Sequence, residues 1–188
     1  MGRKPPSGTW TRTCLARDDN RYPPALRERL GVDAPAQLTV LGNPDLLTLP
    51  KTALFCSARC PGDAILAAHD QAVAWREAGH CVISGFHSPV EKECLRILWR
   101  GRQPIIICLA RGLEGMRIPA LWKEPLAAGR LHVVSCFSAK DRRVTTALAE
   151  HRNLLVAALA DNIIFVYTAP GGHMEQLANQ VAAWRQSH

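Results

Sequence analysis

The chain has 188 residues, 47% of them apolar and 21% charged, and a formal net charge of +7. That length can bury one sizeable core and that composition excludes a disordered chain, while the basic excess favours acidic partners such as nucleic acid without specifying a fold. No apolar run approaches the about 20 residues of a membrane span, no signal-peptide core follows Met1, and the seven cysteines fit neither a disulfide framework nor a zinc spacing. A cytoplasmic, reduced protein with no membrane association is therefore expected, holding no metal and no cofactor.

Residues 1–20 are polar, rich in Pro and Gly and without periodicity, which predicts a flexible basic arm. Basic residues concentrate near this end: residues 1–30 hold seven, including Arg3 and Lys4, against three acids. Residues 21–50 read as a lead-in packed on the main sheet. In it, two prolines open a short helix that Gly31 ends, and Leu38-Thr39-Val40-Leu41 forms a strand. From residue 51 to 188 strands and helices alternate. Ala53–Cys56, Cys81–Ile83, Pro104–Leu109, Leu131–Val134 and Asn162–Tyr167 are strand-like runs, apolar on both faces where they are most regular. Helices are predicted from Pro61 to Gly79, Pro89 to Arg100, near Ala120 to Ala128, from about Lys140 to Ala160, and after Pro170. Ser138 with Asp141 resembles a capping box for the fourth of these. The pattern is that of an α/β protein with a Rossmann-like, doubly wound, mainly parallel sheet and helices on both faces.

In such folds the turns leaving the carboxyl ends of the strands collect free backbone N–H groups and attract anions. The first turn, Ser57-Ala58-Arg59-Cys60-Pro61-Gly62, offers a hydroxyl and a guanidinium beside a helix start, a combination suited to phosphate. The second, Ser84-Gly85-Phe86-His87-Ser88-Pro89, brings a glycine where backbone approaches something closely, and His87 could donate to phosphate or transfer a proton. On the next helix Lys92, Arg96 and Arg100 recur every four residues with Trp99 alongside, a stripe that single-stranded nucleic acid could use or that could simply be solvated. Arg111 follows the third strand, and Arg152-Asn153 lies within the fourth helix. Gly171 and Gly172 form a further anion nest ahead of Glu175. No glycine fingerprint of dinucleotide or nucleoside triphosphate binding is present, nor a nucleophile elbow or metalloprotease motif. Glu175 is the one carboxylate placed for chemistry, and without a partner it does not make an enzyme.

Taken in order, these pieces resemble the DNA-processing protein A (DprA, or Smf) family. The resemblance starts at Arg21-Tyr22-Pro23-Pro24-Ala25-Leu26 and continues through Leu41-Gly42-Asn43. Ala53-Leu54-Phe55-Cys56-Ser57-Ala58-Arg59 stands where the family has a strand ending in Gly-Ser-Arg, and Val82-Ile83-Ser84-Gly85 matches its Ser-Gly opening. Arg152-Asn153-Leu154-Leu155-Val156-Ala157-Ala158-Leu159-Ala160 is similar to its Arg-Asn-Arg helix, so coverage runs over about residues 21–186. Phe86–Glu91 replaces the family's Leu-Ala-Arg-Gly-Ile-Asp, and Leu154 replaces the second arginine of Arg-Asn-Arg. The resemblance implies homodimerisation, binding of single-stranded DNA in a basic pocket, and loading of a RecA-type recombinase, with Ser57, Arg59, Ser84, Gly85, Arg152 and Asn153 as the matched positions. The wider superfamily includes the lonely-guy phosphoribohydrolases, whose Pro-Gly-Gly turn precedes a catalytic glutamate. The alternatives are therefore a nucleoside monophosphate hydrolase with Glu175 in that role, or a sensor of a nucleotide-derived ligand in the same crevice.

Overall fold

Side-chain alternation along the strands sets the layers of this protein. A computed structural model describes residues 10–186, so residues 1–9 of the expected arm, with Arg3 and Lys4, lie outside the described residues. Seven strands form one sheet: β1 (Arg12–Ala16), β2 (Gln37–Gly42), β3 (Lys51–Cys56), β4 (Cys81–Ser84), β5 (Ile105–Cys108), β6 (Leu131–Ser135) and β7 (Asn162–Tyr167). Their order is β1-β2-β6-β5-β4-β3-β7, with β6 to β7 mutually parallel and β1 and β2 added antiparallel.

Ala53, Phe55, Ile83, Ile106 and Val134 point to one face, where they pack with α1 (Pro24–Leu30), α5 (Thr146–Leu159) and α6 (His173–Gln186). Leu54, Val82, Ile105, Ile107 and Val133 point to the other, covered by α2 (Gly62–Ala78), α3 (Pro89–Trp99) and α4 (Ala120–Ala127). Period-two alternation with both sides apolar is what a twice-covered parallel sheet requires. The doubly wound α/β architecture expected from the sequence is the one observed, with all five strands of the alternating region in place.

Three local readings need correction. Residues 12–16, placed in the arm, form edge strand β1, where Leu15 alone is buried and the pairing with β2 supplies the order. The lead-in strand is not laid on the sheet but belongs to it, hydrogen-bonded between β1 and β6. The fourth helix of the alternating region begins at Thr146, not near Lys140. Thr145 caps it through Leu148 N–H, while the Asp141 carboxylate accepts from the Ser138 N–H and hydroxyl within an irregular loop. The charged run Lys140-Asp141-Arg142-Arg143 has no apolar stripe to bury, so it turns irregularly, with the Asp141 N–H donating to the Ser138 carbonyl, until the threonine cap.

The strand order reverses at β3: β4, β5 and β6 build outward on one side, and β7 returns to the other. Beyond the carboxyl ends of β3 and β7 the connecting turns therefore diverge, and a crevice opens there.

Candidate functional site

Ser57 fastens the floor of that crevice. Its N–H donates to the Tyr167 carbonyl (3.0 Å), and its hydroxyl accepts from the Ala169 N–H (2.9 Å), joining the ends of β3 and β7. Two residues on, Arg59 is exposed and makes no hydrogen bond or ion pair among the described residues. α2 then starts from Pro61 without any side-chain cap.

The turn after β4 is organised by a buried carboxylate. Glu91 Oε1 accepts from the Cys56 N–H (3.0 Å), while Oε2 accepts from His87 N–H (2.8 Å) and Ser88 N–H (3.4 Å). The Ser88 hydroxyl returns the favour to the Glu91 N–H, completing a capping box on α3. Phe86, buried, sits at φ 47°, a left-handed conformation that costs a side-chain-bearing residue about 1 kcal/mol; the Ser84 hydroxyl accepts its N–H (3.1 Å) and holds it there. Ser84 itself is wholly buried. The carboxylate thus fills the anion-binding position that this turn would otherwise offer.

Gly85 has a neighbour that no side chain could share space with. A Cβ built on it would lie 1.6 Å from Arg152 Nη1 and 2.0 Å from Cζ. Arg152 reaches the turn from α5 and is only 4% exposed. Its Nε donates to Asn153 Oδ1 (2.8 Å) and its Nη1 to the Cys108 carbonyl (3.3 Å). Burial pushes the guanidinium below its ordinary value, opposed by the charge of Glu91. The serine-glycine and arginine-asparagine pairs, far apart in sequence, are thus one packed unit.

Behind Pro170, Glu175 Oε2 accepts from the Gly171 N–H (2.8 Å), so this nest too holds one of the chain's own carboxylates. His173 Nδ1 meets Glu150 Oε1 at 2.6 Å, linking α6 to α5 beside the crevice. The cavity has a volume of about 600 Å³.

Ser57, Arg59, His87, Arg152, Asn153 and Gly172 are brought together as its lining, with Thr146 and Ala149 from α5. Ser84 and Gly85 lie beneath it as support, and Gly171 and Glu175 lie outside the lining. Lys92 and Arg96 are exposed on the outer side of α3, Arg96 paired with Glu93, and Trp99 is covered by the Arg130 guanidinium at 5.8 Å instead of offering a bare ring. Arg111 lines a separate hollow with Arg142. Sequence reasoning missed Glu91, although Ser88-Pro89-Val90-Glu91 spells a capping box. It also missed the His173–Glu150 contact, for which no local signal exists. Among the described residues no cluster of His, Cys, Asp and Glu could hold a metal ion, and no helix is long and apolar enough to cross a membrane.

The family model described as DNA recombination-mediator protein A matches residues 13–176, which takes in every turn around the crevice. The chain belongs to that family. Among solved structures, DprA from Streptococcus pneumoniae is similar with a TM-score of 0.74 at 20% identity, covering 92% of this chain and 60% of that one. DprA from Helicobacter pylori, in a structure concerned with its single-stranded DNA binding mode, is similar with a TM-score of 0.73 at 18% identity, covering 94% and 79%. At these identities the likeness is one of fold. The chain thus spans about three fifths of the length of the S. pneumoniae DprA that it matches. No curated protein sequence matches it.

Proposed function

We propose that this DprA-family protein binds single-stranded DNA in the crevice beyond β3 and β7, without covalent chemistry, and serves DNA recombination in the cytoplasm as a homodimer that passes the strand to a RecA-type recombinase. The observation that carries the reading is Arg59, exposed and unpaired among the described residues, in the lining of a crevice of about 600 Å³ with the family-matched Ser57, Arg152 and Asn153. Phosphate would meet Arg59 and His87, while the buried Arg152 sets the potential of the floor and the shape of the β4 turn. Against the hydrolase alternative, Glu175 accepts from the Gly171 N–H and does not line the crevice.

The test is fluorescence anisotropy with a labelled single-stranded oligonucleotide across a salt series. Binding should weaken steeply with salt, and Arg59→Ala should lower affinity about fivefold and reduce the logarithmic salt slope by about 0.7, the share of one phosphate contact, with the melting temperature unchanged. Equal affinity for the variant removes the crevice from the reading. No binding by the parent protein at low salt shifts the ligand to a small nucleotide.

A further inference from the structure

We infer a second nucleic-acid contact, separate from the crevice, on the two loops that follow β5 and β6. This inference rests on the single-stranded DNA reading above and extends it by giving the strand a direction along the sheet edge.

These loops carry Arg111 and Arg117 after β5, and Lys140, Arg142 and Arg143 after β6. Arg111 is half-buried and the other four are exposed, and none of the five side chains makes an ion pair or hydrogen bond among the described residues. The two carboxylates in the same loops form no ion pair with them among the described residues. Glu114 accepts from the Thr39 hydroxyl (3.2 Å), and Asp141 accepts from the Ser138 N–H and hydroxyl. The two loops thus carry Arg111, Arg117, Lys140, Arg142 and Arg143 against Glu114 and Asp141, a net positive charge that suits a polyanion partner.

The loops also have a fixed relation to one another. Gly112 N–H donates to the Asp141 carbonyl (2.9 Å), and a Cβ at Gly112 would lie 2.2 Å from the Ser138 carbonyl oxygen. The Ser135 hydroxyl donates to the Arg111 carbonyl (2.7 Å), and Arg12 of β1 donates to the Met116 carbonyl from the far side. Between them lies a hollow of about 270 Å³ lined by Arg111 and Arg142, with Glu114 as the one carboxylate in its lining. The tied backbones keep Arg111 and Arg142 at one concavity, while their free guanidinium groups can turn toward a phosphate there.

Their place relative to the crevice follows from the strand order. β3, β4, β5 and β6 are consecutive neighbours and all parallel, so the turns after them share one edge. At about 4.8 Å per strand, the loop after β6 lies roughly 14 Å from the turn that carries Arg59. His87 stands after β4 and Arg111 after β5, so each successive strand end presents a basic group. A strand leaving the crevice at Arg59 would pass His87 and reach Arg111, Arg142 and Arg143. No comparable line leads over α3, where Arg96 is paired with Glu93.

The experiment compares Arg142→Ala/Arg143→Ala with a control pair, Arg102→Ala/Lys123→Ala, which removes the same charge from exposed sites off this edge. Anisotropy is read with oligothymidylates of six and thirty nucleotides across a salt series, and circular dichroism checks the fold. For the 30-mer, the patch variant should lose about tenfold in affinity and its salt slope should fall by about 1.4, two phosphate contacts at about 0.7 each. The 6-mer should be bound equally by all three proteins, and the control should match the parent throughout. Equal effects of the two pairs on the 30-mer overturn the second contact and leave the crevice reading standing. Failure of the parent protein to bind either oligonucleotide at low salt overturns both.

Discussion

Gly85 and Arg152 show how a single missing side chain can be explained by another residue 67 positions along the chain. The guanidinium lies where a Cβ on Gly85 would be, and it is anchored from below by the Cys108 carbonyl, so it cannot swing away without leaving a buried hydrogen bond unmade. Gly85→Ala should cost about 3 kcal/mol through overpacking and the displaced charge-assisted bond. Arg152→Ala should cost a similar amount, since it strips the counter-charge that faces buried Glu91. Read from sequence alone, Arg152 is a candidate phosphate-binding residue; its burial makes stability the first thing to change. Because both substitutions disturb one contact, the double variant should be more stable than additivity predicts by at least about 1 kcal/mol. Urea unfolding of the four proteins measures this, and strict additivity would show that the two residues do not share a site.

At the scale of elements, the three turns around the crevice differ in what fills their helix N-termini. α3 is closed by Glu91 and α6 by Glu175, each accepting from backbone N–H groups of its own turn, whereas α2 begins with no side-chain cap. The first turn, with Arg59, is therefore the one whose helix start has no side-chain cap, although Asp63 lies in the first turn of α2 and Glu91 reaches the Cys56 N–H beside it. Glu91→Ala would leave the N–H groups of Cys56, His87 and Ser88 without their acceptor, and should lower stability by about 2–4 kcal/mol. Glu91→Gln keeps one acceptor oxygen and should recover part of that loss, as thermal unfolding would read; an equal loss for both variants would make charge, not hydrogen bonding, the organiser. These elements were legible to different degrees. The central strands could be read because burial on two faces leaves unbroken apolar runs such as Ile105-Ile106-Ile107. β1 could not, since an edge strand with one buried side chain is specified by its partner, not by its own pattern. The start of α5 was misplaced because Ser138 and Asp141 use the same hydrogen bonds in a loop that they would use in a cap. The crevice could be located from its turns, but which cations face it depends on tertiary packing: Arg59 and Arg111 look alike in sequence and line different cavities.

For the whole molecule, β6 is the seam where the parallel sheet meets the antiparallel extension through β2, and a histidine is built into it. His132 is fully buried, pairs in register with Gly42 and Ile106, and among the described residues has no hydrogen-bond partner on either ring nitrogen. Burial alone lowers its pKa from 6.5 to about 4. The folded protein therefore holds the ring neutral, while the unfolded chain takes up a proton as pH drops through 6.5. The stabilisation this difference represents is present above pH 6.5 and is lost as pH falls toward 4. With those two values the loss between pH 7 and pH 5 is about 2 kcal/mol, in a range where ordinary carboxylates remain ionised. Replacement by leucine removes the titration and two unpaired nitrogens together, so His132→Leu should hold its stability over the same interval, even if the change of shape lowers the value at pH 7. Urea unfolding at pH 7, 6 and 5 separates these effects, because packing shifts the curve as a whole and the proton shifts its slope. A variant that loses stability with acid as steeply as the parent would place the sensitive group elsewhere. A flat profile would assign the parent protein's loss of stability between pH 7 and pH 5 to His132, the buried histidine of the seam.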